Sequence, residues 1–297
     1  MRSLGGFYTV ISEGGTKTEC RGRGIFRKDA PTLLVGDRCR FEPTEPGCGS
    51  ITAIAPRKNT LQRPPVANLD RLAMVISLAD PAPNALVIDQ LTAIAARRDI
   101  PVVVIFTKPD LADPTPWAEI YRKAGYPTAV VNNRTGEGLE TAAELLKGGI
   151  TAFCGNSGAG KSSLMNGLYP DLNLATGEIS KKLGRGRHTT RHVELFPDGH
   201  GGWLCDTPGF SALEFAKAEP MPAAELAECF PEMEKYKGHC RYTGCSHRTE
   251  QGCAVLEAVR EGLIPESRHR SYAAIYNELK ELKEWELAKM GRSQGGT

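Results

Sequence analysis

The stretch Gly155-Asn156-Ser157-Gly158-Ala159-Gly160-Lys161-Ser162 decides the fold of this chain. It fits the pattern G-x-x-x-x-G-K-[ST], and it follows an apolar run, Ile150 to Cys154, that is typical of a buried strand. In such a loop, glycines let successive backbone N–H groups turn towards phosphate oxygens, and the helix that begins there adds the positive end of its dipole. We therefore expect a strand, a phosphate-binding loop and a helix in that order, with a plain glycine-rich turn as the alternative.

The loop also predicts individual roles. We expect Lys161 to reach the β- and γ-phosphates of a nucleotide and to act as a catalytic residue, and Ser162 to bind Mg²⁺. The predicted nucleotide contacts in this stretch are Gly155, Asn156, Ser157, Gly158, Ala159, Gly160, Lys161, Ser162 and Ser163.

Apolar runs before the loop predict the class of the fold. Leu72 to Ile76 and Val102 to Phe106 are uniformly apolar, and a helix-like stretch from Ala85 to Arg98 separates them. Such strands, alternating with helices, are typical of a parallel sheet that is covered on both faces. Residues 63–213 are therefore predicted to form an α/β domain with a P-loop, and residues 214–297 a mainly helical domain.

A second motif, Asp206-Thr207-Pro208-Gly209, follows a strand-like run downstream of the loop. A carboxylate at this place can hold Mg²⁺ through water, and the N–H of Gly209 can face the γ-phosphate. We expect both residues to contact the nucleotide and Asp206 to contribute to the magnesium site. The alternative for Asp206 is an ordinary turn residue.

The segment Thr107-Lys108-Pro109-Asp110 is similar to the N-K-x-D element of GTPases, with Thr where Asn is usual. The oxygens of Asp110 can accept from guanine N1–H and from its exocyclic amine, whereas adenine has no donor at either place. The segment therefore predicts guanine binding, with a plain strand-ending turn as the alternative. Thr107 keeps a hydroxyl but lacks the amide, so we expect weaker bracing of the loop and the base.

Residues 1–62 predict a small all-β barrel of the OB type. Its strand-like segments, which Gly, Pro and Asp separate, lie near residues 7–11, 19–26, 32–34, 38–42 and 50–54. Arg21, Arg23, Arg27 and Lys28 surround Phe26 in the sequence. Basic and aromatic side chains on such barrels often bind RNA, and a solvated strand face is the alternative.

Near the C-terminus, three cysteines and one histidine have the spacing of a metal site: Cys240, Cys245, His247 and Cys253. Three thiolates and an imidazole form the ligand set of a closed tetrahedral Zn²⁺ site. Four protein ligands leave no open position, so we expect one structural Zn²⁺ per chain rather than a catalytic metal. Free buried cysteines are the alternative.

The composition is typical of a folded protein with several domains. The chain has 297 residues, of which 24% are charged and 40% hydrophobic, and a formal net charge of +2. Neither wholesale disorder nor a uniformly basic chain is indicated. Because no segment resembles a secretory signal or a membrane span, we expect a cytoplasmic protein without membrane contact. Nothing in the sequence requires more than a monomer.

The order of the motifs is unusual. Thr107 to Asp110 precede Gly155, whereas ordinary GTPases place the phosphate-binding loop first. The GTPase domain is therefore predicted to be circularly permuted. This order, together with the zinc pattern, resembles the ribosome small-subunit-dependent GTPase A family over nearly the whole chain. The resemblance implies a GTP hydrolase that binds GTP and GDP, whose partner and activator is the small ribosomal subunit with its rRNA, and whose task is late maturation of that subunit.

The resemblance also implies roles for segments between the motifs. Gly186-Arg187-His188-Thr189-Thr190-Arg191 matches the family's switch segment, in which a threonine closes over Mg²⁺. We expect that threonine to be Thr190 and to contribute to catalysis. Asn132-Asn133-Arg134-Thr135-Gly136-Glu137-Gly138 is similar to the stretch that helps to bind the base, with Asn132-Asn133 in place of a small pair. The backbone N–H of Asn133 is the expected contact to guanine O6.

Hydrolysis without an activator is expected to be slow. Phe210 stands where Ras-type GTPases carry the Gln that orients the attacking water, so the rate should not exceed the order of 10⁻⁴ per second. His188 is a predicted catalytic residue because an imidazole can position or deprotonate water, with a solvated histidine as the alternative. Since Asp206 to Gly209 lie just before the C-terminal domain, we expect loss of the γ-phosphate to change the relative placement of the three domains.

Two other functions stay open for the whole chain. One is a P-loop kinase or ATPase, against which Asp110 and the Asp206 motif argue. The other is a nucleotide-gated RNA-binding scaffold in which hydrolysis is incidental.

Overall fold

The computed structural model describes residues 3–4, 7–22, 32–62, 65–170, 194–199, 201–206 and 221–281. The strands of its first unit are β1 (Ser3–Leu4), β2 (Phe7–Ile11), β3 (Lys17–Gly22), β4 (Cys39–Glu45) and β5 (Cys48–Ile54). Their order in the sheet is β1-β2-β3-β5-β4, with β3 and β5 parallel and the other pairs antiparallel. This is the Greek-key order of an OB fold, so the predicted OB-like unit is confirmed.

The predicted strand at residues 32–34 is wrong, and the fifth strand is Ser3–Leu4 instead. The N–H of Leu34 donates to Asp37 Oδ2 at 2.7 Å, and Arg57 Nη2 donates to the carbonyl of Thr32 at 2.6 Å. These side chains satisfy backbone groups that a neighbouring strand would otherwise bond, so the segment stays out of the sheet. Of the predicted strand at 19–26, residues 23–26 lie outside the described part.

A short antiparallel pair, β6 (Thr60–Gln62) and β7 (Pro65–Ala67), leads from the barrel into the central domain. Amide side chains hold this junction. Asn59 Nδ2 donates to the carbonyl of Leu69 at 2.9 Å, while Asn59 Oδ1 accepts from the N–H of Leu69 at 2.8 Å. Asn68 Nδ2 donates to the carbonyl of Gly36 at 3.0 Å. These amide bonds and an exposed ion pair between Lys58 and Asp70 thus join the barrel to the central domain.

The central domain is a six-stranded sheet with helices on both faces. Its strands are β8 (Arg71–Ser77), β9 (Val102–Thr107), β10 (Thr128–Val131), β11 (Gly149–Cys154), β12 (Glu194–Pro197) and β13 (Gly202–Asp206). Its helices are α1 (Ala85–Arg97), α2 (Thr115–Lys123), α3 (Leu139–Leu146) and α4 (Lys161–Leu168). The strand order is β10-β9-β8-β11-β13-β12, and only the β12/β13 pair is antiparallel among these described strands. The α/β prediction is confirmed.

Alternate residues of β9 show why apolar runs build this sheet. Val104 and Phe106 belong to the hydrophobic cluster that contains α1 and α2, whereas Val103 and Ile105 belong to the cluster that contains α3 and α4. Since successive side chains of a strand point to opposite faces, a strand buried on both sides must be apolar throughout.

The strand order shows how the permuted chain still builds one site. The strand of the phosphate-binding loop, β11, lies between β8 and β13, and the three strands that precede it in the chain lie together on one side. Because β9, β10 and β11 are parallel to β8 and to one another, their carboxyl ends meet at one edge, where doubly wound sheets bind ligands. Motifs that follow these strands therefore converge whatever their order in the chain.

The C-terminal unit shares its core with the central domain. It contains 3₁₀ segments at Ala223–Cys229 and Pro231–Met233 and the helices α5 (Ala254–Arg260) and α6 (Glu266–Glu281). Phe230 and Tyr272 lie in the same buried cluster as Ile88 and Leu91 of α1. The prediction of a mainly helical C-terminal domain is confirmed. Among the described helices, none has the length and apolarity needed to cross a bilayer.

A buried ionic cluster lies at this interface. Arg268 of α6 is fully buried, and it donates to Asp89 of α1 through Nη1 and to Glu232 through Nε, both at 2.6 Å. Its guanidinium carbon lies 4.6 Å from the ring centroid of Phe230. Burial opposes the charged form, but Asp89, Tyr126 and Glu232 hold the pKa of Arg268 above its ordinary value. The cation therefore stays charged and ties the C-terminal unit to α1.

Candidate nucleotide site and metal cluster

The phosphate-binding loop leaves the sheet at the carboxyl end of β11 and enters α4 at Lys161, as predicted. Gly160 caps the helix with a left-handed φ of 88°. Asn156, Ser157 and Gly158 are exposed. The loop thus presents backbone groups and the start of a helix to solvent, which is the geometry that attracts phosphate.

Gly155 is required by a close approach to the neighbouring strand. A Cβ at this position would lie 2.1 Å from the carbonyl oxygen of Val75 in β8, and its φ is 145°. Any side chain would therefore push the first turn of the loop away from the sheet.

Lys161 lies across the loop. Its Nζ donates to the carbonyl oxygens of Gly155 at 2.7 Å and Asn156 at 2.8 Å. Burial lowers the pKa of Lys161, and the adjacent Cys154 opposes this shift. Burial also raises the pKa of Cys154 to about 12, so this thiol stays neutral. The ammonium group is thus held by uncharged carbonyl oxygens, and a phosphate at this loop would offer it a stronger partner.

The base-reading segment begins at the end of β9. Lys108 has a positive φ of 60°, and its Nζ donates to the carbonyl of Asp80. Asp110 Oδ2 lies 3.5 Å from Nη1 of Arg134, whose side chain is 83% exposed. A contact of this length to a solvated arginine is weak, so the Asp110 carboxylate remains able to accept hydrogen bonds from a base.

Thr107 braces the phosphate-binding loop directly. It is fully buried, and its Oγ1 donates to the carbonyl of Ala159 at 2.7 Å. The carbonyl of Ile76 lies 3.4 Å from the same oxygen. A hydroxyl has one proton to donate, and the shorter distance assigns it to Ala159.

The stretch from Asn132 to Gly138 approaches the same loop from the end of β10. Asn132 Oδ1 accepts from the N–H of Arg134 at 3.0 Å and closes a local turn. Asn133 Nδ2 donates to the carbonyl of Gly160 at 3.2 Å. This side-chain contact was not predicted, because nothing in the order of residues 132–138 shows that β10 brings them beside residue 160.

For the other predicted site residues within the described ranges, the structure gives a position but no contact to the site. Ser162 and Ser163 lie half-buried in the first turn of α4, and Pro109 is half-buried between Lys108 and Asp110. Asp206 ends β13, the neighbour of β11, but its side chain lies outside the described part. The predicted residues wholly outside the described ranges are His188, Thr190 and Gly209.

The predicted metal ligands come together. The ligand atoms of Cys240, Cys245, His247 and Cys253 all lie within 4.8 Å of one another. The sulfurs of Cys240 and Cys253 are 3.8 Å apart, and each lies 3.5 Å from Nδ1 of His247. A tetrahedral ion with bonds of about 2.3 Å to sulfur and about 2.0 Å to nitrogen would give edges of about 3.8 and 3.5 Å. The cluster therefore fits one metal ion.

The protonation state of the histidine agrees with this use. Burial lowers the pKa of His247 despite the opposing charge of Glu250, so the imidazole is neutral, the form that binds metals. Burial is the largest cause that raises the pKa of Cys253, and it raises that of Cys245 to about 12. A divalent cation must displace the thiol protons, so its binding weakens in acid.

Glu250 organises the loop between the ligands. Its carboxylate accepts the N–H groups of Ser246 and Arg248 at 2.9 Å and that of Thr249 at 3.1 Å. Burial opposes the charged form, but the Ser246 hydroxyl and the N–H groups of Ser246 and Thr249 lower the pKa of Glu250 to about 2. Tyr272 Oη donates to the carbonyl of Ser246 at 3.0 Å. Ligand spacing does not reveal these supporting residues, since neither binds the metal.

Comparison with known proteins decides between the functions that the fold allows. A model of the RsgA GTPase family matches residues 54–216, and a model of the RsgA N-terminal domain matches residues 1–51. This chain belongs to the RsgA GTPase family.

Two curated relatives match along almost their whole length, and each is named small ribosomal subunit biogenesis GTPase RsgA. The Moorella thermoacetica protein is 43% identical over 281 residues, which cover 94% of this chain and 96% of the relative. The Geobacillus kaustophilus protein is 44% identical over 289 residues, which cover 95% of this chain and 97% of the relative.

Two solved structures show the same architecture. YjeQ from Thermotoga maritima has a TM-score of 0.78 and 32% identity, covering 93% of this chain and 95% of its own. YloQ, titled a circularly permuted GTPase, has a TM-score of 0.78 and 30% identity, covering 95% of this chain and 93% of its own. The circular permutation predicted from motif order is thereby confirmed.

Proposed function

We propose that this protein binds and hydrolyses GTP and that it serves the maturation of the small ribosomal subunit. The observation that supports this most directly is the convergence of three loops, which follow β9, β10 and β11, at one edge of the sheet. The names of the curated relatives supply the partner and the process.

Asp110 is the proposed reader of guanine, within the segment Thr107, Lys108, Pro109 and Asp110. Its two carboxylate oxygens would accept from N1–H and from the exocyclic amine of the base. Adenine offers no donor to this pair, and a desolvated carboxylate without partners is costly. We therefore expect GTP and GDP to bind in preference to ATP, which argues against a P-loop kinase or ATPase.

The loop from Gly155 to Ser163 is the proposed phosphate site. Lys161 would exchange its carbonyl partners for the β- and γ-phosphates, and the N–H of Gly209 would face the γ-phosphate. Ser162, Thr190 and Asp206 would hold Mg²⁺, which neutralises charge on the phosphates. His188 would position the attacking water, because Phe210 replaces the usual Gln.

The metal in the C-terminal cluster is proposed to be one structural Zn²⁺ per chain. Three soft sulfur ligands and one imidazole within 4.8 Å of one another match zinc better than Mg²⁺ or Ca²⁺, which prefer oxygen, and the edges among Cys240, Cys253 and His247 are those of a tetrahedron around zinc. All four positions are taken by protein ligands. The ion would therefore stabilise the fold and have no part in hydrolysis.

The two outer units are the proposed contacts to the rRNA of the small subunit. On the barrel, residues 1–62, the guanidinium of the exposed Arg21 lies 4.2 Å from the ring centroid of Phe7, which combines charge and an aromatic face as RNA-binding surfaces do.

The GTPase domain is proposed to span 63–213 and the zinc domain 214–297. We propose that the protein works in the cytoplasm as a monomer without membrane contact.

The experiment that tests this function compares GTP turnover alone, with purified small ribosomal subunits and with large subunits. We expect slow turnover alone and a rise of at least about tenfold with small subunits only, since an external activator can add far more to a slow GTPase. GTP-dependent binding without stimulation would favour the RNA-binding scaffold with incidental hydrolysis. Equal stimulated rates for wild type and His188→Ala would remove His188 from the mechanism.

A further inference from the structure

Two side chains from different loops meet at the last turn before Lys161. Thr107, after β9, donates to the carbonyl of Ala159 at 2.7 Å, and Asn133, after β10, donates to the carbonyl of Gly160 at 3.2 Å. A Cβ on Gly160 would lie 2.8 Å from Asn133 Nδ2 and 3.6 Å from Thr107 Oγ1. Consecutive carbonyls of the phosphate-binding loop thus each receive one side-chain donor, and the two donors lie around the same glycine.

The chemistry of the two side chains explains why both are used. Asn carries two N–H donors on one planar amide, whereas the Thr107 hydroxyl has a single proton, which Ala159 takes. The carbonyl of Gly160 accepts the helical N–H of Leu164 at 2.9 Å, and its second lone pair is open to another donor. Asn133 fills that place.

We infer that Asn133 supplies the amide that position 107 lacks, so that Thr107 and Asn133 together hold Ala159 and Gly160 and thereby position Lys161 for the phosphates. Asn133 is a positioning residue in this inference. It rests on the proposed binding of guanine nucleotides at this loop.

The environment of the amide oxygen supports the assignment. Asn133 Oδ1 is buried and has no hydrogen-bond partner among the described residues. Turning the amide over would place this oxygen against the carbonyl oxygen of Gly160, and two acceptors repel, so the orientation is fixed by the bond to Gly160. Burying an unpaired oxygen costs free energy that a smaller side chain would avoid. The donated hydrogen bond is the contribution that offsets this cost.

Thr107 and Asn133 also connect the segment that binds the base to the phosphate-binding loop. Thr107 lies three residues before Asp110, and Arg134, next to Asn133, contacts Asp110. Loss of the Asn133 donor should therefore weaken the binding of GTP and of GDP to a similar extent, because both nucleotides need the base contact and the phosphate-binding loop. A loss confined to recognition of the γ-phosphate would weaken the binding of GTP alone.

Asn133→Asp is the sharpest test, because it keeps the shape of the side chain but puts an acceptor against Gly160. We expect the Kd of fluorescent GTP and GDP analogues to rise at least about tenfold, mainly through faster release. The matched control is Asn277→Asp on α6, where the amide oxygen accepts from Arg248 and an acid can do the same. It should leave both Kd values unchanged. Thermal unfolding without nucleotide separates the effect from a loss of fold.

Rescue distinguishes this role from a structural one. Asn133→Ala should weaken binding, and adding Thr107→Asn, whose amide can occupy the space vacated beside Gly160, should restore most of it. Unchanged Kd values for folded Asn133→Asp would overturn the inference by themselves, whether or not the double variant folds. If wild-type protein bound neither GTP nor GDP, the proposed function would fail instead, which keeps the two failures apart.

Discussion

The two outer units are joined to the central domain in different ways. At the barrel junction, Asn59 and Asn68 make neutral hydrogen bonds to the connecting chain and to Gly36. At the C-terminal junction, the fully buried Arg268 bonds carboxylates of Asp89 and Glu232, which are 179 and 36 residues away in the chain. The first junction combines these amide bonds with an exposed Lys58–Asp70 ion pair, whereas the second has a fully buried ion pair between residues far apart in the chain.

This difference indicates which unit can shift. Opening the barrel junction exchanges amide hydrogen bonds for water, a change of about 1 kcal/mol each. Opening the C-terminal junction would separate the buried Arg268 cation from the Asp89 carboxylate and leave Asp89 without its cation, which is far more costly. We therefore expect the zinc domain to move as one body with α1, so that the nucleotide-dependent change expected for all three domains falls mainly on the barrel.

The largest expected effect comes from removing the proposed zinc ion. Cys253→Ser, or treatment with a chelator, should unfold the C-terminal unit and with it the Arg268 junction, because binding of a structural zinc contributes roughly 10–16 kcal/mol. Limited proteolysis and circular dichroism would measure this. Cys229→Ala is the matched control, since Cys229 is buried in the same unit and lies outside the ligand cluster. A metal-free variant with an intact C-terminal unit would contradict the structural role.

Breaking the buried charge cluster should have the next largest effect. Arg268→Ala leaves the Asp89 and Glu232 carboxylates unpaired, and we expect the free energy of unfolding to fall by about 3–5 kcal/mol. Urea unfolding would measure the loss. Arg270→Ala on the same helix should cost less than about 1 kcal/mol, because its pair with Glu266 is solvated. Similar losses for both variants would mean that the buried ion pairs of Arg268 contribute no more to stability than the solvated pair of Arg270.

Acid should weaken the barrel side by a smaller amount. Burial raises the pKa of Asp70, but its bonds to Lys58 and to the N–H of Ile150 lower it below the usual 3.8. A carboxylate with a lowered pKa contributes stability above pH 3.8, and this contribution is lost as the pH falls below that value. Asp70→Asn should remove this part of the acid dependence.

The expected difference is small, since the Lys58 and Asp70 side chains are 48% and 37% exposed. Unfolding curves of wild type and Asp70→Asn should be measured in parallel from pH 6 to about pH 3. Because acid causes loss of metal in both proteins, the difference between their free energies of unfolding does not contain that contribution. A difference in the free energy of unfolding that is the same at every pH would show that Asp70 does not titrate in this way.

Motifs that are continuous in the sequence could be predicted, and contacts between distant segments could not. The phosphate-binding loop and the Cys240 cluster hold their chemistry within a few residues, and apolar runs identified β8, β9, β11 and β13 of the central sheet but not β10 or β12. The strand at 32–34 failed because side-chain bonds from Asp37 and Arg57 compete with strand pairing. The pairing of Arg268 with Asp89 depends on how helices far apart in sequence pack.

The same limit applies within the nucleotide site. Thr107 was expected to brace the loop weakly because it lacks an amide, yet its hydroxyl contacts Ala159 at 2.7 Å. The amide at Gly160 comes from Asn133, which the sequence marked only as a departure from a small pair. Sequence order gives the residues of each loop, whereas the sheet decides which loops meet.

Nucleotide competition before and after Asp110→Asn tests the central claim most directly, because it asks whether loops in permuted order assemble one guanine site. Wild-type protein should retain GTP against excess ATP and against xanthosine triphosphate, whose base has a carbonyl where guanine has the amine. The variant's amide can donate to that carbonyl, so its preference should change from GTP to xanthosine triphosphate. Equal retention of GTP and ATP by the wild type, or an unchanged preference in the variant, would contradict the claim.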